Sequence, residues 1–247
     1  MISLRASLLG LALLAGSTIS AMAADLGNLR GDDDATGTGA ARFYIRGDLG
    51  YEWNSKPSVS QLGQDLTETS MANDWNYGGG FGYYFSPNWR IDLTAEHHNG
   101  AVISGNYAAV GALLTGGSEN FNVTSDVILA NLYYDFTGRA GFNPYLGVGL
   151  GWAANHSMSG SATDACGCTT TIDSATESHL AWALMAGVTK DLDRGFSVDV
   201  GYRLLDVGGT HTGNVINKLG NAIDGSSVTT GAIYSNEIRV GLRYDIN

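Results

Sequence analysis

The sequence predicts an all-β chain: an eight-stranded antiparallel transmembrane β-barrel of up-and-down topology, with four long extracellular loops and three short periplasmic turns. Three observations predict it. Eight segments of roughly 9 to 13 residues can each be read as strands long enough to cross a bilayer when tilted, and the sharpest of them alternate apolar with polar or small side chains. Long and short connections alternate between these segments. After the first 23 residues, no stretch approaches 18 consecutive apolar residues, so no helix is expected to span a membrane.

Composition narrows the class. The chain has 247 residues, 35 glycines and 3 prolines, and only 15% of its residues are charged, against about 25% in typical soluble domains. Its net charge is −11 with no basic run, which disfavours nucleic acid because nothing would neutralise phosphates. Residues 1–23 read as a secretory signal: Arg5, the apolar run LLGLALLAG and the A-x-A site Ala21-Met22-Ala23. Residues 24–41, with Asp32, Asp33 and Asp34, read as a flexible periplasmic lead-in, and 42–247 as the barrel.

The first strand is 42–53, RFYIRGDLGYEW. Phe43, Ile45, Leu49, Tyr51 and Trp53 share one face, and Arg42, Arg46, Asp48 and Glu52 the other. The second, 75–86, is aromatic and Gly-rich. In the third, 90–98, Ile91, Leu93 and Ala95 alternate with Arg90, Asp92, Glu96 and His98. The fourth to sixth, at 125–137, 144–154 and 178–189, set apolar residues against Gly, Ala, Asn or Ser. The seventh, 196–204, alternates Phe196, Val198, Val200 and Tyr202 with Asp199 and Arg203. The eighth, EIRVGLRYDIN, places Glu237, Arg239, Gly241, Arg243 and Asp245 opposite Ile238, Val240, Leu242, Tyr244 and Ile246. Stretches 54–74, 99–124, 155–177 and 205–233 are the long loops; 86–89, 137–143 and 190–195 are the turns.

Alternation alone does not say which face is inside. A soluble barrel points its apolar face inward, and a membrane barrel points it at lipid. The leader, the loop asymmetry and two aromatic belts choose the membrane. Phe43, Tyr83, Tyr84, Phe85, Trp89, Tyr133, Tyr134, Phe136, Phe142, Tyr145, Phe196 and Tyr244 fall at the short-turn ends, and Tyr51, Trp53, Trp75, Tyr77, Trp152 and Trp182 near the long loops. The charged faces then turn inward. The expected interior set is Arg42, Arg46, Asp48, Glu52, Arg90, Asp92, Glu96, Asp135, Asp199, Arg203, Glu237, Arg239, Arg243 and Asp245. An eight-stranded interior is just wide enough for side chains to fill. Arginine pairs carboxylates in a two-pronged way, so a self-satisfied ionic plug is expected ahead of a selective path for solutes.

Other motifs carry less. Glu96-His97-His98 has metal-like chemistry, yet strand neighbours point to opposite faces, so the two histidines do not easily share a ligand. Asn155-His156-Ser157 lacks an acidic partner in a convincing place for a triad. Gly147-Val148-Gly149-Leu150-Gly151 sits inside a strand, the wrong context for phosphate binding. Cys166 and Cys168 read as a local disulfide or two loop thiols. No catalytic residue, metal or cofactor is assigned.

FYIRGDLGYEWN at 43–54 is similar to the first strand of the opacity-protein-like outer-membrane barrels, the surface-antigen porin family of proteobacteria. RVGLRYDI at 239–246 is similar to the C-terminal assembly signal of such barrels, with Arg239, Gly241, Tyr244 and Ile246 in its places. Such chains usually stop on an aromatic; this one ends Ile246-Asn247. The resemblance implies a multi-pass protein of the bacterial outer membrane with porin or adhesion roles. The expected function is structural support and surface contact without enzymatic activity. A small-solute porin and a lipid A-modifying enzyme are the rivals. Expected partners are outer-membrane lipids, the barrel-assembly machinery and a surface or host ligand taken by the long loops.

Overall fold

The computed structural model describes residues 43–61, 64–110, 114–164, 167–216 and 220–246. The expected leader 1–23, the lead-in 24–41, Arg42, Cys166 and Asn247 lie outside the described residues. Eight strands build the wall: β1 (Phe43–Asn54), β2 (Asp74–Ser86), β3 (Trp89–Val110), β4 (Leu114–Asp135), β5 (Phe142–Ser157), β6 (Ala175–Asp191), β7 (Phe196–Asp206) and β8 (Tyr234–Ile246). Each pairs antiparallel with the next. β8 returns to β1, from Phe43↔Ile246 to Asn54↔Ser235, and closes the sheet. Closure leaves no strand edge in lipid, where water cannot satisfy backbone groups.

Wall faces follow the alternation. Leu49, Phe81, Leu93, Leu150, Leu184, Val200 and Val240 are exposed, as a lipid-facing surface requires. Phe43–Tyr83, Trp89–Tyr134 and Phe196–Tyr244 rings meet at 4.9, 5.0 and 4.8 Å along the short-turn rim. Tyr51 and Trp75 meet at 5.0 Å on the opposite rim, where Tyr77 and Trp152 are also exposed. Three residues expected in the short-turn belt belong inside instead. Tyr133 and Tyr145 are buried, and Tyr84 packs on buried Tyr44 at 5.1 Å. Each follows a lipid-facing neighbour by an odd number of positions, so the pleat turns it inward.

The second long loop is corrected more deeply. β3 and β4 run on as a paired ribbon through Val110↔Leu114, covering most of 99–124. The register shifts between His98 and Ala101, and Gly100 there has φ +116°. Below this bulge the even residues Glu96 and His98 are buried; above it the odd residues Ala101 and Ile103 are. A bulge inserts unpaired residues and changes the phase of the pleat. A Cβ at Gly100 would lie 2.8 Å from Asn122 Oδ1, a second reason for glycine.

The remaining long loops carry short strands. Val59–Gln61, Gln64–Asp65, Thr210–His211 and Val228–Thr230 form a separate four-stranded sheet from the first and last loops. Gly160–Asp164 and Thr169–Ile172 extend the β4 ribbon. One apolar cluster links these loops to the barrel interior, with Val59, Phe121, Ile172 and Val228 above and Val127, Leu129, Ala183 and Leu205 below.

Candidate functional site

The site is the barrel lumen, and its geometry begins with strand order. β7 lies four strands around the wall from β3, so side chains that join them cross the interior. Glu96 on β3 makes that crossing. It accepts from Arg203 Nη1 and Nη2 at 3.0 and 2.5 Å and from Arg239 Nη1 and Nη2 at 2.8 and 2.9 Å. Arg203 also donates from Nε to Glu237 Oε2 at 3.0 Å. Two-pronged pairing suits the planar guanidinium. Glu96, Arg203 and Glu237 are buried.

A second network lies nearer the short turns. Arg46 donates to Asp48 at 2.9 and 2.7 Å and to Asp92 at 2.9 Å. Arg90 donates from Nε to Asp135 at 2.9 Å, and its Cζ lies 3.9 Å from the Tyr133 ring centre and 5.1 Å from that of Tyr145. Tyr44 donates to Asp92 at 3.0 Å. Arg243 stands 3.6 Å from Asp199 and over the Tyr44 and Tyr84 rings, while Asp245 pairs in register with Tyr44. Tyrosines between the arginines supply ring faces for cations, a contribution the sequence reading did not foresee. Glycines make the room: a Cβ at Gly241 would meet Asp48 Oδ1 at 2.5 Å, and one at Gly187 or Gly201 would meet the Tyr145 hydroxyl at 2.6 or 2.5 Å.

Of the expected interior residues, Asp48, Glu52, Arg90, Asp92, Glu96, Asp199, Arg203, Glu237 and Arg243 are buried and Arg46, Asp135, Arg239 and Asp245 partly so, while Arg42 lies outside the described set. The ionic network is nevertheless one-sided. It is drawn mainly from β1, β3, β7 and β8, whereas β4–β6 line the opposite side with Val127, Leu129, Asn131, Ala153, Ala181 and Ala183. A cavity of about 20 Å³ lies among Arg46, Asp48, Glu96, Tyr133, Arg203 and Arg239, room for about one water. Among the described residues of the expected set, eight carboxylates face five arginines.

The histidines form three groupings with carboxylates. His98 is buried, with Nδ1 2.6 Å from Glu52 Oε2. His97 is turned outward, as the alternation requires: its Nδ1 is 2.6 Å from Asp126 Oδ1, and His156 Nε2 is 3.2 Å from Asp126 Oδ2. At the loop side, Glu177 lies 2.7 Å from His211 Nδ1 and 3.4 Å from His179 Nε2. Asn155 and Ser157 serve packing of the loops. Asn155 donates to the carbonyls of Val207 and Gly209 at 2.9 and 2.8 Å, and Ser157 to that of His211 at 2.9 Å. Cys168 sits in the third long loop.

One acidic residue outside the bilayer stands apart. Glu119 lies on the projecting part of β4, well past the aromatic rim at Trp152, and is only 2% exposed. Burial pushes its carboxyl up to about 7, while a Gln61 hydrogen bond pulls the other way. A raised folded-state pKa means the folded ribbon holds a proton that the unfolded chain releases. Its stabilisation is complete below the unfolded value of 4.5 and is lost as pH rises through about 7. Protease cleavage of the extracellular ribbon should therefore increase between pH 5 and pH 8, and Glu119→Gln should flatten that dependence. An identical pH profile in both proteins would remove Glu119 as the cause.

Comparison with known proteins fits this architecture. The family model described as "Outer membrane protein beta-barrel domain" matches residues 9–246. A Brucella abortus (strain 2308) protein described as uncharacterized is 30% identical over 242 residues, covering 83% of this chain and 85% of its own. A Rickettsia typhi protein described as a candidate adhesin is 30% identical over 212 residues, covering 83% and 88%. Two solved structures share the fold. OprG from Pseudomonas aeruginosa superposes with a TM-score of 0.52 at 17% identity, covering 86% of this chain and all of that one. The Escherichia coli outer membrane protease OmpT gives 0.54 at 9% identity, covering 86% and 99%.

Proposed function

Since the chain belongs to the outer-membrane protein β-barrel family and is a multi-pass barrel of the bacterial outer membrane, we propose that it acts there as a closed, non-enzymatic barrel serving envelope structure and surface contact. The observation that carries this reading is the Glu96 clamp. One carboxylate ties β3 to both β7 and β8 through the lumen, beside a cavity of about 20 Å³. A hydrated ion moving through would have to break charge-assisted pairs in a low-dielectric interior. Surface contact is supported by the projecting ribbon and loop sheet, and by the Rickettsia relative's description. On this reading lipids contact the apolar wall, the assembly machinery reads 239–246, and any surface or host ligand meets the loops. The acidic chain gives nucleic acid nothing to bind.

Planar-bilayer recording tests it. The unmutated protein should show little steady conductance, and Arg203→Ala should raise it by removing one side of the crossing. Large, stable channels in the unmutated protein would establish the small-solute porin instead. A change in lipid A mass on expression would establish a lipid-modifying enzyme.

A further inference from the structure

We propose that Glu52, His98 and Glu237 form a binding site for a divalent cation of the zinc class, inside the extracellular half of the barrel. Each of the three can offer one ligand atom such that all lie within 4.8 Å of one another. They come from β1, β3 and β8, so the wall itself positions them. All three are at least nine-tenths buried.

Hydrogen bonding distinguishes this cluster from an ordinary ion pair. Glu52 Oε2 is crowded, with His98 Nδ1 at 2.6 Å and the Asn76 amide and Ser235 hydroxyl donating at 3.3 Å each. Glu237 Oε2 is held by Arg203 at 3.0 Å. Two buried atoms of the trio are left without a hydrogen-bond partner: His98 Nε2 and Glu237 Oε1. With the His98 proton on Nδ1, donated to Glu52, both of these are lone-pair acceptors. Buried acceptors without a donor are costly. A Lewis acid between them satisfies both, so His98 and Glu237 are its ligands, and Glu52, on the other ring nitrogen, orients the imidazole as carboxylates do behind metal-bound histidines.

The donor set names the cation class. One imidazole nitrogen and a carboxylate oxygen, with water completing the shell, suit Zn²⁺ or Co²⁺, whereas Ca²⁺ and Mg²⁺ favour all-oxygen shells with more ligands. Charge also favours a cation. Arg203 lies 2.8 Å from Glu237 Oε2 and shares its charge between Glu237 and Glu96. Among the described residues of the expected interior set, carboxylates outnumber arginines.

The test uses the folded full-length barrel in detergent micelles, stripped with a chelator and titrated with CoCl₂ or ZnCl₂. We expect one Co²⁺ per chain with visible d–d absorption. His98→Gln and Glu52→Gln should each weaken binding by about tenfold or more. His97→Gln and His211→Gln, which alter the two exposed histidine groupings, should leave it unchanged. Should the lumen variants not fold, the unmutated protein decides: in the ¹⁵N-histidine-labelled barrel Zn²⁺ should shift the ring resonances of one buried histidine and leave those of the exposed ones in place. Absence of saturable binding by the unmutated protein overturns the proposal. So does binding that is lost only with His97 or His211, or Zn²⁺ that shifts only exposed histidines.

Discussion

Deleting residues 239–247 is expected to abolish folded protein in the outer membrane, with degradation in the periplasm. The deletion removes the β8 partners of β1 from Phe43↔Ile246 to Gly50↔Arg239, and the β7 partners from Phe196↔Tyr244 to Gly201↔Arg239. Each backbone group then left bare in lipid costs several kcal/mol. The deletion also removes Arg239, Gly241, Tyr244 and Ile246, the residues that resemble an assembly signal. Tyr244 and Ile246 face outward and are exposed, where lipid or an assembly factor can reach them. Loss of Asn247 alone should change almost nothing, because it follows the last apolar position of the strand pattern. The check is the unheated gel: a truncated protein that still gives a heat-modifiable, membrane-inserted band would show that β8 does not close the barrel.

Glu96→Ala should be the most damaging single change in the lumen, lowering barrel stability by about 3–5 kcal/mol, the usual cost of stranding a buried charge. It strands two. Arg203 would keep Glu237 at 2.8 Å, and Arg239 would keep only Asp48 at 3.6 Å and Glu237 at 3.5 Å. Adding Arg239→Leu to Glu96→Ala should recover part of the loss, since one uncompensated cation is then gone. Urea titration of the protein folded into lipid vesicles measures both. A loss below about 1 kcal/mol for Glu96→Ala would place the pair in a solvated environment, where ion pairs contribute that little.

The wall was legible in the sequence because lipid and lumen impose opposite demands on alternate residues. Val200 beside Arg203, or Leu242 beside Arg243, leaves no ambiguity of face once the membrane is chosen. The ribbon beyond His98 was not legible, because Gly100 resets the phase. Ala101 and Ile103 continue a strand whose pattern, read from Arg90 onward, has ended. Side-chain identity also hid the lumen's division into halves. Gly, Ala, Val and Asn on β4–β6 form no periodic signal of their own, and Tyr133 reads equally well as a belt residue. The separation of His97 from His98 was legible in the alternation, but the partners of His98 were not. Glu52 reaches it across β2, and Glu237 only through barrel closure, which sets Glu52 opposite Glu237.

The ribbon has a consequence for how the sequence can change over time. From Val102↔Asn122 to Val110↔Leu114 it pairs, among the described residues, only with itself and with loop strands. Ten residues at about 3.3 Å each carry it roughly 30 Å beyond the bulge. Every wall residue answers to lipid on one side or to a charge on the other. The outer part of the ribbon pairs, among the described residues, with no other wall strand, so substitutions there are expected to leave the wall's register untouched, whereas substitutions in the wall are not.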